Sequence, residues 1–280
     1  MTVDGTLVTI DHRPALRFER RYAAPLERVW RAVTDPAEMS AWFPSDVIGE
    51  RAVGADLTFD DDAQRAAAAA AGEGHRDDGG EHFTGRVLVW DPPTVFSFTW
   101  GGEVLRFELH PDEGGTRLVF THLLSHRSVA ARNGSGWHAC LRQLDALLGE
   151  PVPEEGDDWA SYREFVAAMG PEPGEAGDDG SRTWELGHHV PPERVRDVLS
   201  DPDDVEAWGG VERSQDHVHW DIRSTDDGGS LLRVTVEGAG SDPDLAAAWH
   251  ALLVQLDLYL AAEMIVPIDP ATFREAFAGQ

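Results

Sequence analysis

Apolar and polar positions alternate through the middle of the chain. Phe96, Phe98 and Trp100 alternate with Ser97 and Thr99, Leu105, Phe107 and Leu109 with Arg106 and Glu108, and Leu118, Phe120 and His122 with Val119 and Thr121. A period of two with one apolar face predicts half-buried antiparallel strands. Pro92-Pro93, Gly101-Gly102 and Gly114-Gly115 supply the turns between them. Residues 15–23 predict an earlier strand. Pro25 suits the first turn of a helix, and Leu26, Val29, Trp30 and Val33 then recur at helical spacing. Asp35-Pro36 ends that helix, and a short second one carries Met39 towards Trp42 and Phe43. The longest helical stripe is Trp137, Cys140, Leu141, Leu144, Leu147 and Leu148. It predicts a helix from about Ser135, with Ser135 as its cap, to Leu148, and Gly149 stops it.

Part of this pattern occurs twice. Pro25-Leu26-Glu27-Arg28-Val29-Trp30, with Asp35-Pro36 and Trp42, returns as Pro191-Pro192-Glu193-Arg194-Val195-Arg196, with Asp201-Pro202 and Trp208, at an ungapped offset of 166 positions. Trp137-His138-Ala139, with Leu141, Gln143, Leu144 and Asp145, returns as Trp249-His250-Ala251, with Leu253, Gln255, Leu256 and Asp257, at an offset of 112. The order is kept while the middle shortens, which is the mark of a duplicated domain whose second copy is cut down. The expected organisation is a domain over 15–149, an acidic linker over 150–181, a truncated repeat over 182–264 and a tail over 265–280. Residues 61–81, rich in alanine, glycine and acids, read as a mobile insertion in the first domain. The linker carries one amphipathic helix with Trp159, Tyr162, Val166 and Met169. The second copy keeps about three strands, too few for a self-sufficient sheet with a cavity. It is expected to depend on the first domain or on a second chain.

Charge and composition exclude several chemistries. The 280 residues carry 51 acidic and 23 basic side chains, a formal charge of −28, and every basic one is arginine. With no lysine there is no Schiff base and no phosphate-loop lysine. So acidic a chain repels nucleic acid and anionic membranes. One cysteine, Cys140, precludes an internal disulfide, and no run reaches the length of a membrane span. The beginning of the chain shows no secretory pattern, so a cytoplasmic location is expected. No Cys/His/carboxylate cluster fits a standard zinc pattern, and no Gly-x-Ser-x-Gly elbow is present. No cofactor or metal is called for.

The order strand, two small helices, antiparallel strands and closing helix resembles the START-like, or SRPBCC, helix-grip fold. The likeness is greatest to the family named for homology to the activator of the heat-shock-protein-90 ATPase. Arg21-Tyr22 before Pro25, Val29-Trp30, Asp35-Pro36 with Trp42-Phe43, Gly85-Arg86-Val87 with Asp91-Pro92-Pro93, Thr116-Arg117-Leu118 and Gly136-Trp137 carry the resemblance. It implies an α+β fold in which an antiparallel sheet wraps a long C-terminal helix and encloses an apolar pocket. It implies no reaction.

Within such a pocket the candidate ligand-binding residues are Trp42, Phe43, Phe96, Phe98, Trp100, Phe107, Phe120, His122, Trp137 and Leu141. Core packing is the default for the strand aromatics, whereas the pocket is favoured for Trp42 and Phe43, which end a short helix where such a cavity opens. His122 shares a strand face with Leu118 and Phe120 and is the best polar anchor. His138, which recurs as His250, reads as structural. The leading expectation is non-enzymatic binding of a small hydrophobic molecule, with homodimer formation open. The alternatives are an enzyme of cyclase or hydrolase type, using His122 or a pocket carboxylate as general acid or base, and a co-chaperone-like interaction module. A titratable pair inside the pocket would favour the enzyme; a broad exposed apolar patch would favour a protein partner.

Overall fold

The structure is a computed structural model that describes residues 4–60, 83–152, 159–207, 217–226, 228–262 and 266–278. The insertion expected at 61–81 and the recurring Trp208 lie outside the described residues. Contacts divide the chain into two compact units, Met1–Ser125 with Asn133–Asp158, and His126–Arg132 with Trp159–Gln280.

The first unit is an eight-stranded antiparallel sheet with two small helices and one long helix. Its strands are β1 (Gly5–Ile10), β2 (Arg13–Tyr22), β3 (Asp46–Ile48), β4 (Asp56–Asp60), β5 (Phe83–Asp91), β6 (Val95–Trp100), β7 (Glu103–Asp112) and β8 (Gly115–Leu123). They lie in the order β1-β2-β8-β7-β6-β5-β4-β3. Helices α1 (Leu26–Thr34) and α2 (Pro36–Met39) follow β2, and α3 (Ala130–Leu147) follows β8. Strand β7 follows the alternation in the sequence, with one face buried, whereas Ser97 of β6 and Val119 and Thr121 of β8 are buried as well as the apolar face, so these strands are not half-buried as expected. Asp35 separates α1 from α2: its carboxylate accepts from the Ala37 and Glu38 amides and satisfies two free donors of the second helix.

Two sequence expectations change. Strand β1 is additional. It pairs with β2 through a two-residue loop, Asp11-His12, in which both residues have positive φ (49° and 64°). That is the twist a tight hairpin requires, but neither residue is a glycine, so nothing in the sequence flags the turn. The closing helix also begins earlier. It starts at Ala130 after a 3-10 turn over Arg127–Val129, which is capped by the His126 ring accepting from the Ser128 amide. Asn133-Gly134-Ser135-Gly136 therefore lies inside the helix, and Ser135 is not its cap. Buried Val129, Ala130 and Ala131 extend the apolar surface N-terminally, and burial overrides the poor helix propensity of two glycines. The C-terminal end is as expected: Gly149 has φ 82°, and the Glu150 amide bonds back to the Asp145 carbonyl.

The second unit has a four-stranded antiparallel sheet in which Val218–Ser224 pairs with Ser230–Val236, that strand with Arg182–His188, and Arg182–His188 with Glu175–Ala176. Its elements are α4 (Ala160–Met169), β9 (Glu175–Ala176), β10 (Arg182–His188), α5 (Pro192–Ser200), α6 (Pro202–Ala207), β11 (Val218–Ser224), β12 (Ser230–Val236) and α7 (Pro243–Ala262). A 3-10 turn over Pro270–Phe273 leads into α8 (Arg274–Phe277). The helix expected in the linker forms as α4, with Tyr162, Phe165, Val166 and Met169 buried, and the linker also supplies the short strand β9, so the sheet has four strands rather than about three. Asp201 caps α6 as Asp35 caps α2, accepting from the Asp203 and Asp204 amides.

Candidate functional site

Strand register brings the candidate residues into rows across the first sheet. Phe18 pairs with Phe120, Phe120 with Phe107, and Phe107 with Phe96. The next row is Leu16, His122, Leu105 and Phe98. Trp100 and Glu103 pair at the end of the β6–β7 hairpin. That hairpin turns through Gly101 and Gly102, both at positive φ, as its two-residue loop demands. Gly85 of β5 lies so close to β6 that a Cβ there would stand 1.9 Å from the Thr99 carbonyl oxygen. Only glycine permits that approach.

Helix α3 sets Trp137 against this face. Its ring centroid lies 4.7 Å from Phe120, 5.5 Å from Phe43 and 5.7 Å from Trp100. Phe107 stacks on Phe120 at 4.8 Å, and Phe96 lies 4.8 Å from Phe98. Trp42 donates through Nε1 to the Ala32 carbonyl, which locks the segment after α2 onto α1. The structure thus gathers nearly all the expected residues into one aromatic cluster and buries Leu141 on the same helix as Trp137. All are buried except Trp100, which is half-exposed and marks where solvent approaches the cluster. The rings occupy the interior themselves. Surface clefts of about 200 Å³ near Tyr22 and Gly115, and about 220 Å³ beside Arg163 and Ile268, are lined by other residues.

Inside the cluster lies a polar relay. The Trp137 indole donates to His122 Nδ1 at 2.9 Å. That leaves the ring proton on Nε2, which faces Glu103 Oε2 at 2.6 Å without the alignment of a full hydrogen bond. Glu103 Oε1 accepts from the Ser125 amide at 2.6 Å and from its hydroxyl at 2.9 Å. His122 is fully buried and Glu103 is 2% exposed. The Trp100 Nε1 atom is buried with no protein partner. The arrangement offers an imidazole facing a carboxylate and one spare donor within an apolar enclosure. Neither Glu103 nor Ser125 is singled out by the sequence reading. Glu103 stands two positions before Leu105 on the buried parity of β7, and a carboxylate at a core position is the signal that would have found it.

A second polar group ties β1 and β2 to α3. Tyr22 donates to Asp145 at 2.8 Å, Arg20 lies 3.4 Å from the same carboxylate, and Asp4 meets His138 Nδ1 at 3.0 Å. Burial and the nearby Asp145 charge push the Tyr22 phenol well above its ordinary range. Burial opposes ionisation of Asp4, but His138 and Arg20 hold its carboxyl below the usual value. This group pins the helix to the sheet edge. Burial also raises the Cys140 thiol to about 12, which leaves it unreactive.

Residues 23–149 match the model of the family described as Activator of Hsp90 ATPase homolog 1-like protein. Among solved structures, the chain is similar to CalU16 from Micromonospora echinospora, with 20% identity over 59% of this chain and 92% of that chain and a TM-score of 0.43. A conserved protein of unknown function from Enterococcus faecalis, EF2215, is 18% identical over 58% of this chain and 88% of its own, with a TM-score of 0.44. Protein MLL2253 from Mesorhizobium loti is 23% identical over 48% and 96%, with a TM-score of 0.38. A comparison with curated proteins finds no match. No helix among the described residues is long and apolar enough to cross a membrane.

Proposed function

We propose that this chain, whose residues 23–149 match the model of the Activator of Hsp90 ATPase homolog 1-like family, binds a small hydrophobic ligand inside that domain. The ligand carries a hydrogen-bond acceptor. The observation that carries this reading is the buried Trp137–His122–Glu103 relay beside the unpartnered Trp100 indole, all within an aromatic shell. Aromatic walls supply most of the affinity for an apolar ligand, and a few fixed polar groups orient it. Because the rings fill the interior, binding requires Trp100 and Phe43 to turn aside, and Trp100 is the half-exposed one.

The second unit has a structural role in this reading, as a shortened copy of the first. Equivalent caps at Asp35 and Asp201 support the duplication. So do the strand pairs Tyr22–Thr116 and His188–Ser230: Tyr22 and His188 keep the offset of 166, and Thr116 and Ser230 each lie at the start of the last strand before the closing helix.

One observation favours a second reading, catalysis. A titratable couple, His122 and Glu103, does converge in the interior, and His122 could exchange a proton with a bound substrate. A co-chaperone role has no comparable support. The large apolar side chains exposed among the described residues are Ile48, Val53 and Leu88, and nothing there selects a protein partner.

Native mass spectrometry of the full chain tests the leading reading. A co-purified small molecule is expected. Trp100→Phe, which removes the spare indole donor, should weaken binding of a polar-headed ligand by about 1–3 kcal/mol, the cost of an unpaired buried group. A protein that never carries or takes up an apolar ligand contradicts the proposal. A ligand recovered chemically altered after incubation supports the catalytic reading instead.

A further inference from the structure

His188 of β10 pairs across the strands with Ser230 of β12, and both lie on the buried face of the second sheet. Helix α7 supplies Asp257, whose Oδ1 lies 3.1 Å from His188 Nδ1 and whose Oδ2 lies 3.4 Å from Arg132 Nε. Ser230 is 0% exposed, Asp257 5% and His188 6%. Three polar atoms at this point are buried without an aligned protein partner: His188 Nε2, Ser230 Oγ and Asp257 Oδ1. Asp257 Oδ1 faces His188 Nδ1, whereas His188 Nε2 and Ser230 Oγ, from residues paired across the strands, are costly to bury unless something bonds them.

The first unit shows what fills the equivalent space. There Tyr22 pairs across the strands with Thr116, and the helix supplies Asp145. The Tyr22 hydroxyl reaches Asp145 directly at 2.8 Å, and the Thr116 hydroxyl is satisfied by the Ala24 carbonyl at 2.8 Å. At the matching positions of the second unit an imidazole replaces the longer phenol, and a serine lacks the threonine methyl. Both changes remove volume at the same spot and leave donors and acceptors behind.

We infer that the second unit holds one internal water molecule between His188 Nε2 and Ser230 Oγ, completing a chain from Asp257 through His188 to Ser230. Asp257 stays ionised: burial opposes this, but Arg132 and His188 hold its carboxyl below the ordinary range. The carboxylate keeps the imidazole proton on Nδ1, so Nε2 accepts from the water. The water's second hydrogen and its lone pairs serve Ser230 and any remaining neighbour. A buried water with two or more polar partners behaves as part of the structure. It here fixes the position of α7 on β10 and β12. The order Asp–His–Ser is also that of a nucleophilic relay, but Ser230 is fully buried, out of reach of a substrate.

Oxygen-17 magnetic relaxation dispersion on the full chain counts long-lived internal waters. Ser230→Thr, alone or with His188→Tyr to rebuild the first unit's pair, should remove one of them. The double variant keeps the test open if the single one folds poorly. An unchanged count in a folded variant overturns the inference. Thermal unfolding gives an independent reading. Ser230→Ala should lower the melting temperature, because it strips a partner from the bound water. A raised melting temperature would mean that the hydroxyl was a dry orphan, and would overturn the proposal.

Discussion

Glu103 holds the first interior together at the residue scale. It faces the Nε2 proton of His122 and accepts from two groups of Ser125. Removing the carboxylate leaves these buried donors without an acceptor. Glu103→Ala should therefore cost about 1–3 kcal/mol or more in denaturant unfolding, whereas a loss below about 1 kcal/mol would show that these contacts are not held in the folded protein. His250 gives a pH-dependent counterpart. Burial first, then the charges of Arg127 and Arg182, lower its imidazole to about 4. Its ring accepts from the Trp184 indole and lies against Phe273 and Phe277. A histidine depressed in the folded state is protonated more readily when unfolded. Stability is therefore full above about 6.5, the unfolded value, and falls as pH drops towards about 4. The full effect is about 3 kcal/mol. His250→Phe should flatten that slope in melts taken between these limits, and an equally steep slope in the variant would reject the assignment. The aromatic shell and His122 were legible because they repeat at period two. Glu103 was not, because a charge on the buried parity interrupts the pattern used to read it.

At the scale of elements, α2 and α6 rest on matching caps. Asp35→Ala and Asp201→Ala should each cost about 0.5–2 kcal/mol in equilibrium unfolding, since each frees two helix amides. A neutral result at both would mean that these carboxylates do not cap. Most elements could be read from the chain because their signals are local: proline at a first turn, glycine pairs at hairpins, an apolar stripe on a helix. The elements misread lack such signals. Strand β1 is joined by Asp11-His12, residues that adopt positive φ without announcing it. The second turn of α3 runs through Gly134 and Gly136, which argue against a helix, and burial of Val129, Ala130 and Ala131 decides the matter. Register was legible only as parity. That Tyr22 faces Thr116, or His188 faces Ser230, emerges from pairing between distant strands.

At the scale of the whole molecule, the second unit includes His126–Arg132 as well as Trp159–Gln280. Arg132 balances the buried Asp257, and Ser128 exchanges hydrogen bonds with the Gly187 backbone. A fragment that starts at residue 159 lacks these partners. By circular dichroism it should melt broadly or not at all, while one that starts at 126 should unfold cooperatively. A sharp transition in the shorter fragment would contradict this division. The sequence echo marked both halves of the chain, but it placed the boundary by order along the chain, whereas the units are divided by contacts. Ligand entry into the first unit's interior can be followed through the Trp100 and Trp137 indole N–H signals in nitrogen-15 spectra of the full chain. The titrants are a medium-chain fatty acid and an aromatic ketone. Saturable shifts of both indole signals are expected with at least one titrant. Indole signals that stay fixed up to the solubility limit of both titrants would show that this interior takes up no such ligand.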